Sequence, residues 1–492
     1  MYLSRITVIV LSILGAVQAS AQLNDTNEFG SIWHSQTYVN GRYSSYLSKV
    51  DSPFVYVYGY DPSGDFQITK ASMNTGDIIW DYADELSSSS SESLKYVIHN
   101  EENSLIFCLR GEESVFMEVA VLDNAGELQR KLSMSPVEDE KVIYTLTWTA
   151  TSGRLGLMTF DYNNEDNLVV HRQDIKEDLE ITQVNSMSMN IDEEDYDFMS
   201  SYPFGEFGII ALAKSLDEEE NHLLIQSKDD NGVFESREVQ LPFVYVSDMY
   251  GVYSWLDQVV TIVGVYSMED DDHAGGTFRL TIDLKTNSIS DVVKFPFSNL
   301  TKSAYLDDSE IADNEEIDDE FFIVDLSYET GGVVGLTLTA REFDKHLSTS
   351  IHLITQVSNE SEVTHEIYIP RRTDYEDQTK VWGGFAHGEY RLLFSDSDDH
   401  IDFWKGTTDH INFFRLMEGV VSMISHHKDG RITYTPVAKV LDSGGAVVGK
   451  RSFELSEDEN RIYMLKISGP YDSWDFQLGS FSTTVAREDE AR

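Results

Sequence analysis

The chain has 492 residues, of which 41% are hydrophobic, and it carries 86 Asp and Glu against 36 Lys and Arg. The resulting formal net charge of −50 repels phosphate backbones and anionic lipids, and affinity for nucleic acid requires clustered cations. Nucleic acid and anionic membrane surfaces are therefore excluded as expected partners. The length suffices for a large core. The single cysteine, Cys108, excludes an intrachain disulfide.

The first twenty-one residues have the pattern of a secretory signal peptide. Arg5 supplies a positive charge, residues 6–17 form an apolar run, and Ala19-Ser20-Ala21 fits a small-residue cleavage site. A membrane anchor is the weaker alternative because a span needs about 20 apolar residues. We expect residues 1–21 to be removed and the mature chain to be secreted, or periplasmic if the host is bacterial.

Three sequons bear on the extracellular assignment if the host is eukaryotic. Asn24 begins Asn-Asp-Thr, Asn299 begins Asn-Leu-Thr and Asn359 begins Asn-Glu-Ser. Each is an acceptor sequence for an N-linked glycan. In a bacterial host the three sequons carry no such prediction.

Strand signals dominate the chain from Gln22 onward. Runs rich in β-branched and aromatic residues occur at 54–60, 104–110, 142–148, 207–214 and 259–266. No long amphipathic helix is evident, and proline is sparse. The sequence therefore predicts an all-β protein.

Residues 66–82, FQITKASMNTGDIIWDY, read as two apolar runs joined by a polar turn, which predicts a β-hairpin. Weaker copies of this pattern occur at 115–134, 167–184, 222–241, 277–295, 348–369 and 432–455, with room for another hairpin at 389–406. The turns are separated by roughly fifty residues at first and by more later, a period expected of four-stranded propeller blades.

The first of these hairpins also resembles a known repeat. Thr75 and Gly76 form its turn, and the pair Ile78-Ile79 precedes Trp80. This order resembles the tryptophan-docking repeat of quinoprotein-like (PQQ-like) β-propellers, and the resemblance is limited to residues 66–82. It implies that the hairpin is the outer hairpin of a first blade. The quinoprotein dehydrogenases typically carry an adjacent cysteine pair beside the cofactor, which this chain lacks, so no quinone cofactor is expected.

The predicted architecture is a single β-propeller of seven or eight four-stranded blades over residues 22–482, followed by a polar C-terminal tail at 483–492. Each twisted sheet has two apolar faces, which its neighbours in a ring would cover. Tandem β-sandwich domains are the alternative, because closely spaced turns suit either fold. The spacing of paired strands rather than single strands favours the propeller.

Calcium is the candidate metal. Asp161, Asn163, Glu165 and Asn167 place oxygen ligands at alternate positions, a spacing with which one loop can wrap a hard cation. The loop lacks a glycine at its sixth position and an acidic twelfth ligand. An ordinary acidic hairpin tip is the alternative interpretation.

Two classes of function remain open. The first is a secreted, acidic, non-enzymatic β-propeller that acts as an interaction or structural module for a protein or glycan partner. The second is a secreted carbohydrate-active enzyme, a glycoside hydrolase or lyase, on the same scaffold. Ser397, Asp399 and Trp404 match a sialidase-type box, but Ile401 and Phe403 occupy its Gly and Thr positions. The sequence favours the non-enzymatic module, and it assigns no catalytic residue.

Overall fold

The computed structural model consists mostly of strands in antiparallel sheets, as the sequence predicts. It describes residues 25–26, 32–33, 38–39, 44–60, 66–73, 75, 77–84, 94–99, 103–110, 116–133, 144–149, 154–162, 168–175, 181–189, 196–204, 208–215, 221–228, 234–254, 258–269, 273–283, 285–286, 288–303, 305–318, 321–329, 333–344, 347–357, 363–373, 381–396, 420–427, 431–439, 453–456, 459–468 and 475–483. Within these residues no helix has the length and apolarity needed to cross a membrane.

The described strands form eight sheets, numbered here in chain order. Sheet 1 contains β4 (Ser44–Asp51), β5 (Phe54–Tyr60), β6 (Phe66–Ser72) and β7 (Ile78–Asp84); sheet 2 contains β8 (Leu94–His99), β9 (Asn103–Arg110), β10 (Phe116–Asp123) and β11 (Leu128–Ser133). Sheet 3 contains β12 (Tyr144–Thr149), β13 (Arg154–Tyr162), β14 (Leu168–Ile175) and β15 (Ile181–Met189); sheet 4 contains β16 (Tyr196–Phe204), β17 (Gly208–Ser215), β18 (Asn221–Lys228) and β19 (Phe234–Leu241).

The remaining sheets continue the series. Sheet 5 contains β20 (Tyr245–Ser254), β21 (Val259–Ser267), β22 (Gly276–Asp283), β23 (Ser288–Ile289) and β24 (Val293–Pro296); sheet 6 contains β25 (Phe321–Glu329), β26 (Val333–Asp344), β27 (Leu347–Val357) and β28 (Val363–Thr373). Sheet 7 contains β29 (Val381–Ala386), β30 (Glu389–Asp396), β31 (Val420–His426) and β32 (Ile432–Lys439). Sheet 8 contains β33 (Phe453–Leu455), β34 (Arg461–Ser468) and β35 (Asp475–Ser482), together with β1 (Asp25–Thr26), β2 (Ile32–Trp33) and β3 (Tyr38–Val39).

Sheet 8 is the one sheet among these that combines both ends of the chain. Its last C-terminal strand, β35, pairs with β2 and with β3, so strands near the N-terminus complete a sheet that begins at Phe453. Each of the other sheets is built from consecutive strands of the chain, which pair in sequence order except that β24 of sheet 5 pairs with β22.

Six of the predicted hairpins are confirmed as outer hairpins of their sheets: five are the third and fourth strands, and in sheet 5 the third strand, β22, pairs with both β23 and β24. These are the hairpins predicted at 66–82, 115–134, 167–184, 222–241, 277–295 and 348–369.

The prediction at 432–455 is wrong, because β32 ends sheet 7 whereas β33 begins sheet 8. The outer hairpin of sheet 7 is instead β31–β32. The hairpin proposed at 389–406 is also wrong, since β30 has β29 and β31 as its neighbours.

Aspartate side chains close two of the confirmed hairpins. At the end of β10, an Asp123 carboxylate oxygen accepts hydrogen bonds from the backbone N–H groups of Ala125 (2.8 Å) and Glu127 (3.0 Å). At the end of β22, Asp283 accepts from Lys285 (2.8 Å) and Thr286 (3.0 Å) in the same way. Part of the acidic composition therefore serves local turn formation.

The chain divides into two compact units. Unit one comprises residues 1–91, 380–382 and 391–492. Its apolar core includes Val55 and Val57 of β5, which pack with Leu465 of β34. A second cluster joins Leu393 and Met423 of sheet 7 to side chains of sheet 8. Strand β4 lies beside β33 and β34.

Unit two comprises residues 92–379 and 383–390. Here the first strands of consecutive sheets lie side by side, with β12 beside β16, β16 beside β20, and β20 beside β25. One core cluster joins sheets 4 and 5, and it includes Leu223, Ile225 and Phe278. A second cluster joins sheets 5 and 6 and includes Val263 and Leu336. Each of these sheets is thus covered by apolar side chains of the next one in the sequence.

Candidate functional site

An insertion between sheets 5 and 6, in unit two, carries a dense run of acidic residues. We call residues 297–320 the acidic insertion. It contains two short helices, α1 (Asn299–Lys302) and α2 (Asp308–Asp313). Asp307 caps α2 through a capping box in which its carboxylate accepts from the Glu310 N–H while the Glu310 carboxylate accepts from the Asp307 N–H.

Aromatic and backbone contacts fix the acidic insertion on the adjoining sheets. The Phe297 and Tyr305 rings lie 4.9 and 5.6 Å from the Phe321 ring, measured between centroids. Ile317, which is buried, exchanges two backbone hydrogen bonds with Ala274. The capped helix and these contacts attach the described part of the insertion to the sheets.

The one basic side chain of the insertion is turned inward. Lys302 is buried, and its Nζ donates to the Asn314 side-chain oxygen at 3.2 Å and to the Glu315 backbone carbonyl at 2.7 Å. The outward side therefore presents acids without a cation of its own. The exposed carboxylates are those of Asp307, Asp308, Asp313, Glu315 and Asp318.

Asp307 illustrates how this face keeps its charge. The Ser309 hydroxyl donates to the Asp307 carboxylate, and the backbone N–H groups of Glu310 and Ser309 also donate to it. These hydrogen bonds, the Ser309 hydroxyl first, hold the pKa of Asp307 below its ordinary value. The carboxylate therefore remains ionised at neutral pH.

Glu316 joins the acidic insertion to the β21–β22 connection. Its carboxylate accepts from the Ser267 hydroxyl at 2.7 Å and from the Met268 backbone N–H at 3.0 Å. Tyr266 lies nearby, and burial, followed by the negative charge of Glu316, raises its pKa to about 12. Glu316 thus acts as a structural acceptor, and Tyr266 stays neutral at physiological pH.

Carboxylates also form hydrogen bonds from one sheet to the next, and this occurs on the first strands of sheets 5 and 6. Strands β20 and β25 each carry a bulge followed by an aspartate, Asp248 and Asp325. Asp248 accepts from the Ile323 N–H at 2.9 Å, and Asp325 accepts from the Gly383 N–H. Each aspartate therefore bonds the backbone of the first strand in the next sheet.

The Asp325 contact lies within a buried polar cluster. Tyr390 is fully buried, and its hydroxyl lies 3.0 Å from the Thr337 hydroxyl oxygen. Burial, followed by the nearby Asp325 carboxylate, raises the pKa of Tyr390 well above its ordinary value. A Cβ atom at Gly335 or Gly383 would overlap the Tyr390 side chain. The cluster is therefore a close-packed contact between sheets 6 and 7, in which the two glycines leave the space that the tyrosine occupies.

The tryptophan of the repeat-like hairpin packs against an aromatic ring of its own sheet. Trp80 is buried and meets the Tyr56 ring edge-on, with centroids 6.0 Å apart. Lys70, the β6 partner of Trp80, is also buried, and its Nζ lies 4.4 Å from the Phe54 ring centroid. Thr75 accepts from the Asp77 N–H in the turn. Gly76 lies outside the described residues, and Ile78 and Ile79 are exposed.

The predicted calcium ligands are only partly described. Asp161 lies near the end of β13, where it pairs with Val169 of β14. Asn163, Glu165 and Asn167 lie outside the described residues, so the site remains a prediction. In the part of the chain that the structure describes, no three metal-ligating side chains come together.

Of the three sequons, one can be placed. Asn299 is exposed at the start of α1, whereas Thr301 of the same sequon is buried. Asn24 and Asn359 lie outside the described residues, as do Ser397, Asp399 and Trp404 of the sialidase-type box.

The sequence did not lead us to predict the roles of Asp248 and Asp325. The shared signal was weak, since each aspartate lies two residues after a β-branched apolar residue of a first strand, Val246 or Ile323.

Comparisons with known proteins add no family. No family model matches the chain, and no curated protein matches it. A europium-containing methanol dehydrogenase is similar over 94% of this chain and 95% of that one, at 9% identity and a TM-score of 0.46.

Two further solved structures are similar over most of the chain. The WD40 domain of SCAP from fission yeast covers 90% of this chain and 95% of its own, at 10% identity and a TM-score of 0.40. The polysaccharide lyase Uly1 covers 80% and 91%, at 9% identity and a TM-score of 0.40. TM-scores at this level carry no inference about activity.

Proposed function

We propose that this protein is a secreted, acidic, non-enzymatic β-propeller of eight blades that binds a protein partner with a basic surface. The observation that carries the propeller part of the proposal is the order of the sheets. Eight sheets follow one another along the chain, and in unit two the first strands of consecutive sheets lie side by side. A propeller repeats four-stranded sheets in this manner.

The strand order also favours a propeller over tandem β-sandwiches. Sandwiches of the immunoglobulin type exchange strands between two sheets through Greek-key connections. Here the sheets are built from sequential strands, and the exception, sheet 8, combines β33–β35 with strands from the N-terminal end. A terminal sheet shared between the two chain ends is a means by which a ring of blades would close.

The chemistry of the partner follows from charge. A net charge of −50 attracts cationic surfaces and steers their association, an effect that salt weakens. The acidic insertion contributes an ordered surface of exposed carboxylates, and its buried Lys302 leaves that surface uncompensated. A lysine- or arginine-rich protein surface fits this field. Calcium bound at 161–167 would be a separate stabilising ligand.

The secretory part of the proposal has a direct test. N-terminal sequencing of the exported protein is expected to begin at or near Gln22, because residues 1–21 have the signal-peptide pattern. In a eukaryotic host, Asn299→Gln is expected to remove one glycan, whereas Thr301→Ser keeps the sequon and serves as the matched control. An exported protein that retains Arg5 would contradict the assignment.

The partner chemistry is tested with an oligolysine peptide and two charge-matched variants. The first variant neutralises three insertion acids, Asp308→Asn, Asp313→Asn and Asp318→Asn. The second changes three exposed acids in other hairpins, Asp51→Asn, Asp77→Asn and Glu127→Gln. Both variants lose the same net charge, so a larger loss of affinity in the insertion variant supports the insertion as the preferred contact.

Two outcomes of this binding experiment would contradict the proposal in different ways. Equal losses in the two variants would leave attraction by the overall charge but would remove the specific role of the insertion. Binding that is insensitive to added sodium chloride would contradict the basic-partner proposal itself, since exposed charge interactions are screened by salt.

A further inference from the structure

Met268, the first residue after β21, differs in exposure from the other methionines whose side chains the structure describes. It is 45% exposed, whereas Met73 is 7%, Met249 1%, Met423 0% and Met464 1% exposed. Oxidants in solution can therefore reach the Met268 residue, while packing shields the other four methionines. Because an oxidant has to reach the thioether, exposure favours oxidation of Met268 over the four buried methionines to methionine sulfoxide.

The structure also fixes the surroundings of the Met268 sulfur. Its backbone N–H is held by the Glu316 carboxylate, and its Sδ atom accepts a hydrogen bond from Lys294 Nζ at 3.4 Å. Lys294 is itself oriented by a hydrogen bond to the Pro242 carbonyl at 3.1 Å and lies 5.0 Å from the Phe243 ring centroid. A positioned ammonium group thus faces the sulfur.

We propose that Met268 is a site of reversible oxidation by peroxide, with Lys294 as the group that binds the oxidised side chain. In the forward step, a sulfur lone pair attacks one peroxide oxygen and the O–O bond breaks. The proton on the transferred oxygen passes to the departing hydroxide, so methionine sulfoxide forms and the second oxygen leaves as water; hydrogen peroxide is reduced while the thioether is oxidised. A methionine sulfoxide reductase and a thiol reductant reverse the step.

Oxidation of Met268 changes the strength of its hydrogen bond with Lys294. A thioether is a weak acceptor, whereas a sulfoxide oxygen is polar and carries partial negative charge. A charged donor forms its stronger hydrogen bonds with such an acceptor. Oxidation of Met268 therefore strengthens its contact with Lys294 at the point where Glu316 attaches the acidic insertion to the β21–β22 connection.

The site is tested on the full-length folded protein with dilute hydrogen peroxide, by peptide mapping with mass spectrometry. Met268 is expected to oxidise on the order of tenfold faster than Met249 or Met423, because exposure governs access to the sulfur. The difference should disappear in denaturant. If Met268 reacts no faster than the buried methionines in the folded protein, the proposal is wrong.

The role of Lys294 is measured separately, by its reactivity towards an acetylating reagent before and after oxidation. We expect oxidation to lower Lys294 acetylation by about twofold, and reductase treatment to restore it, because the sulfoxide oxygen engages the ammonium group. Met268→Leu should abolish the dependence on peroxide, and Met249→Leu should preserve it. Unchanged Lys294 reactivity with Met268 fully oxidised would overturn this part of the proposal.

Discussion

Carboxylates perform different tasks at two places in unit two. Asp325 is buried after the bulge of β25, accepts a hydrogen bond from the Gly383 backbone and lies near Tyr390. Asp308 and Asp313, in the acidic insertion, are exposed. The first kind of acid holds neighbouring strands together, whereas the second contributes charge to the surface. Acidic composition alone does not distinguish the two tasks, because the distinction depends on burial and on the hydrogen-bond donor.

Substitution of the glycines that contact Tyr390 is expected to cause the largest loss of stability among the variants. Gly383→Ala introduces a Cβ that would overlap the Tyr390 side chain and approach the Asp325 carboxylate. We expect a loss of about 3 kcal/mol in the free energy of unfolding, since overpacking a close-fitting core forces strain. Chemical denaturation measures the loss. A double-mutant cycle of Gly335→Ala with Tyr390→Leu should show that the smaller side chain relieves part of the cost.

Single variants test whether buried and exposed acids contribute differently to stability. Asp325→Ala leaves the Gly383 N–H without its acceptor, and we expect a destabilisation of about 2 kcal/mol. Asp313→Asn, at an exposed position, should change stability by no more than about 0.5 kcal/mol. Equal effects of the two variants in urea denaturation would show that burial does not separate these acids.

Glu316 is an acid of the insertion whose charge acts on a neighbouring side chain, Tyr266. Because the pKa of Tyr266 is raised to about 12 from 10.0, its proton is retained in the folded state and lost from the unfolded state within that window. This contribution to stability is present below pH 10 and is lost as the pH rises to about 12. Alkaline titration by ultraviolet absorbance, with Tyr266→Phe as the reference, measures the pKa.

The same titration separates the two causes of the shift. Glu316→Gln should lower the Tyr266 pKa only part of the way towards 10.0, because burial is the larger cause and the carboxylate the smaller one. A full return to 10.0 in this variant would show that the charge of Glu316 dominates instead.

Added salt is expected to have the smallest effect on stability, and this effect involves exposed acids throughout the protein. The Debye length falls from about 30 Å at 0.01 M to about 8 Å at 0.15 M, so repulsion among exposed acids weakens over this range. The melting temperature should rise with sodium chloride. Calcium should raise it beyond magnesium at matched ionic strength if residues 161–167 bind calcium. A melting temperature that falls with salt would contradict the repulsion argument, and equal effects of the two cations would remove the calcium site.

The sequence predicted the strands and six of the outer hairpins because alternation and turn residues are local signals. It failed at 432–455, where two strands that resemble a hairpin belong to different sheets. The N-terminal strands of sheet 8 are only two residues long, too short to leave a pattern.

The contacts of Asp248 and Asp325 were not predictable from sequence for a different reason. Asp248 bonds a residue 75 positions away and Asp325 one 58 positions away, so the donor is supplied by the tertiary fold. The order within the acidic insertion had a local signal that sequence reasoning overlooked, since Asp307 and Glu310 have the spacing of a capping box.

Amide hydrogen exchange at Ile323 and Gly383 tests most directly whether aspartates of the first strands hold the next sheet. The account predicts that Asp248→Ala accelerates exchange at Ile323, that Asp325→Ala accelerates exchange at Gly383, and that Asp308→Asn and Asp313→Asn change neither. Unchanged protection at both amides in the two alanine variants would contradict the account, as would equal acceleration in all four.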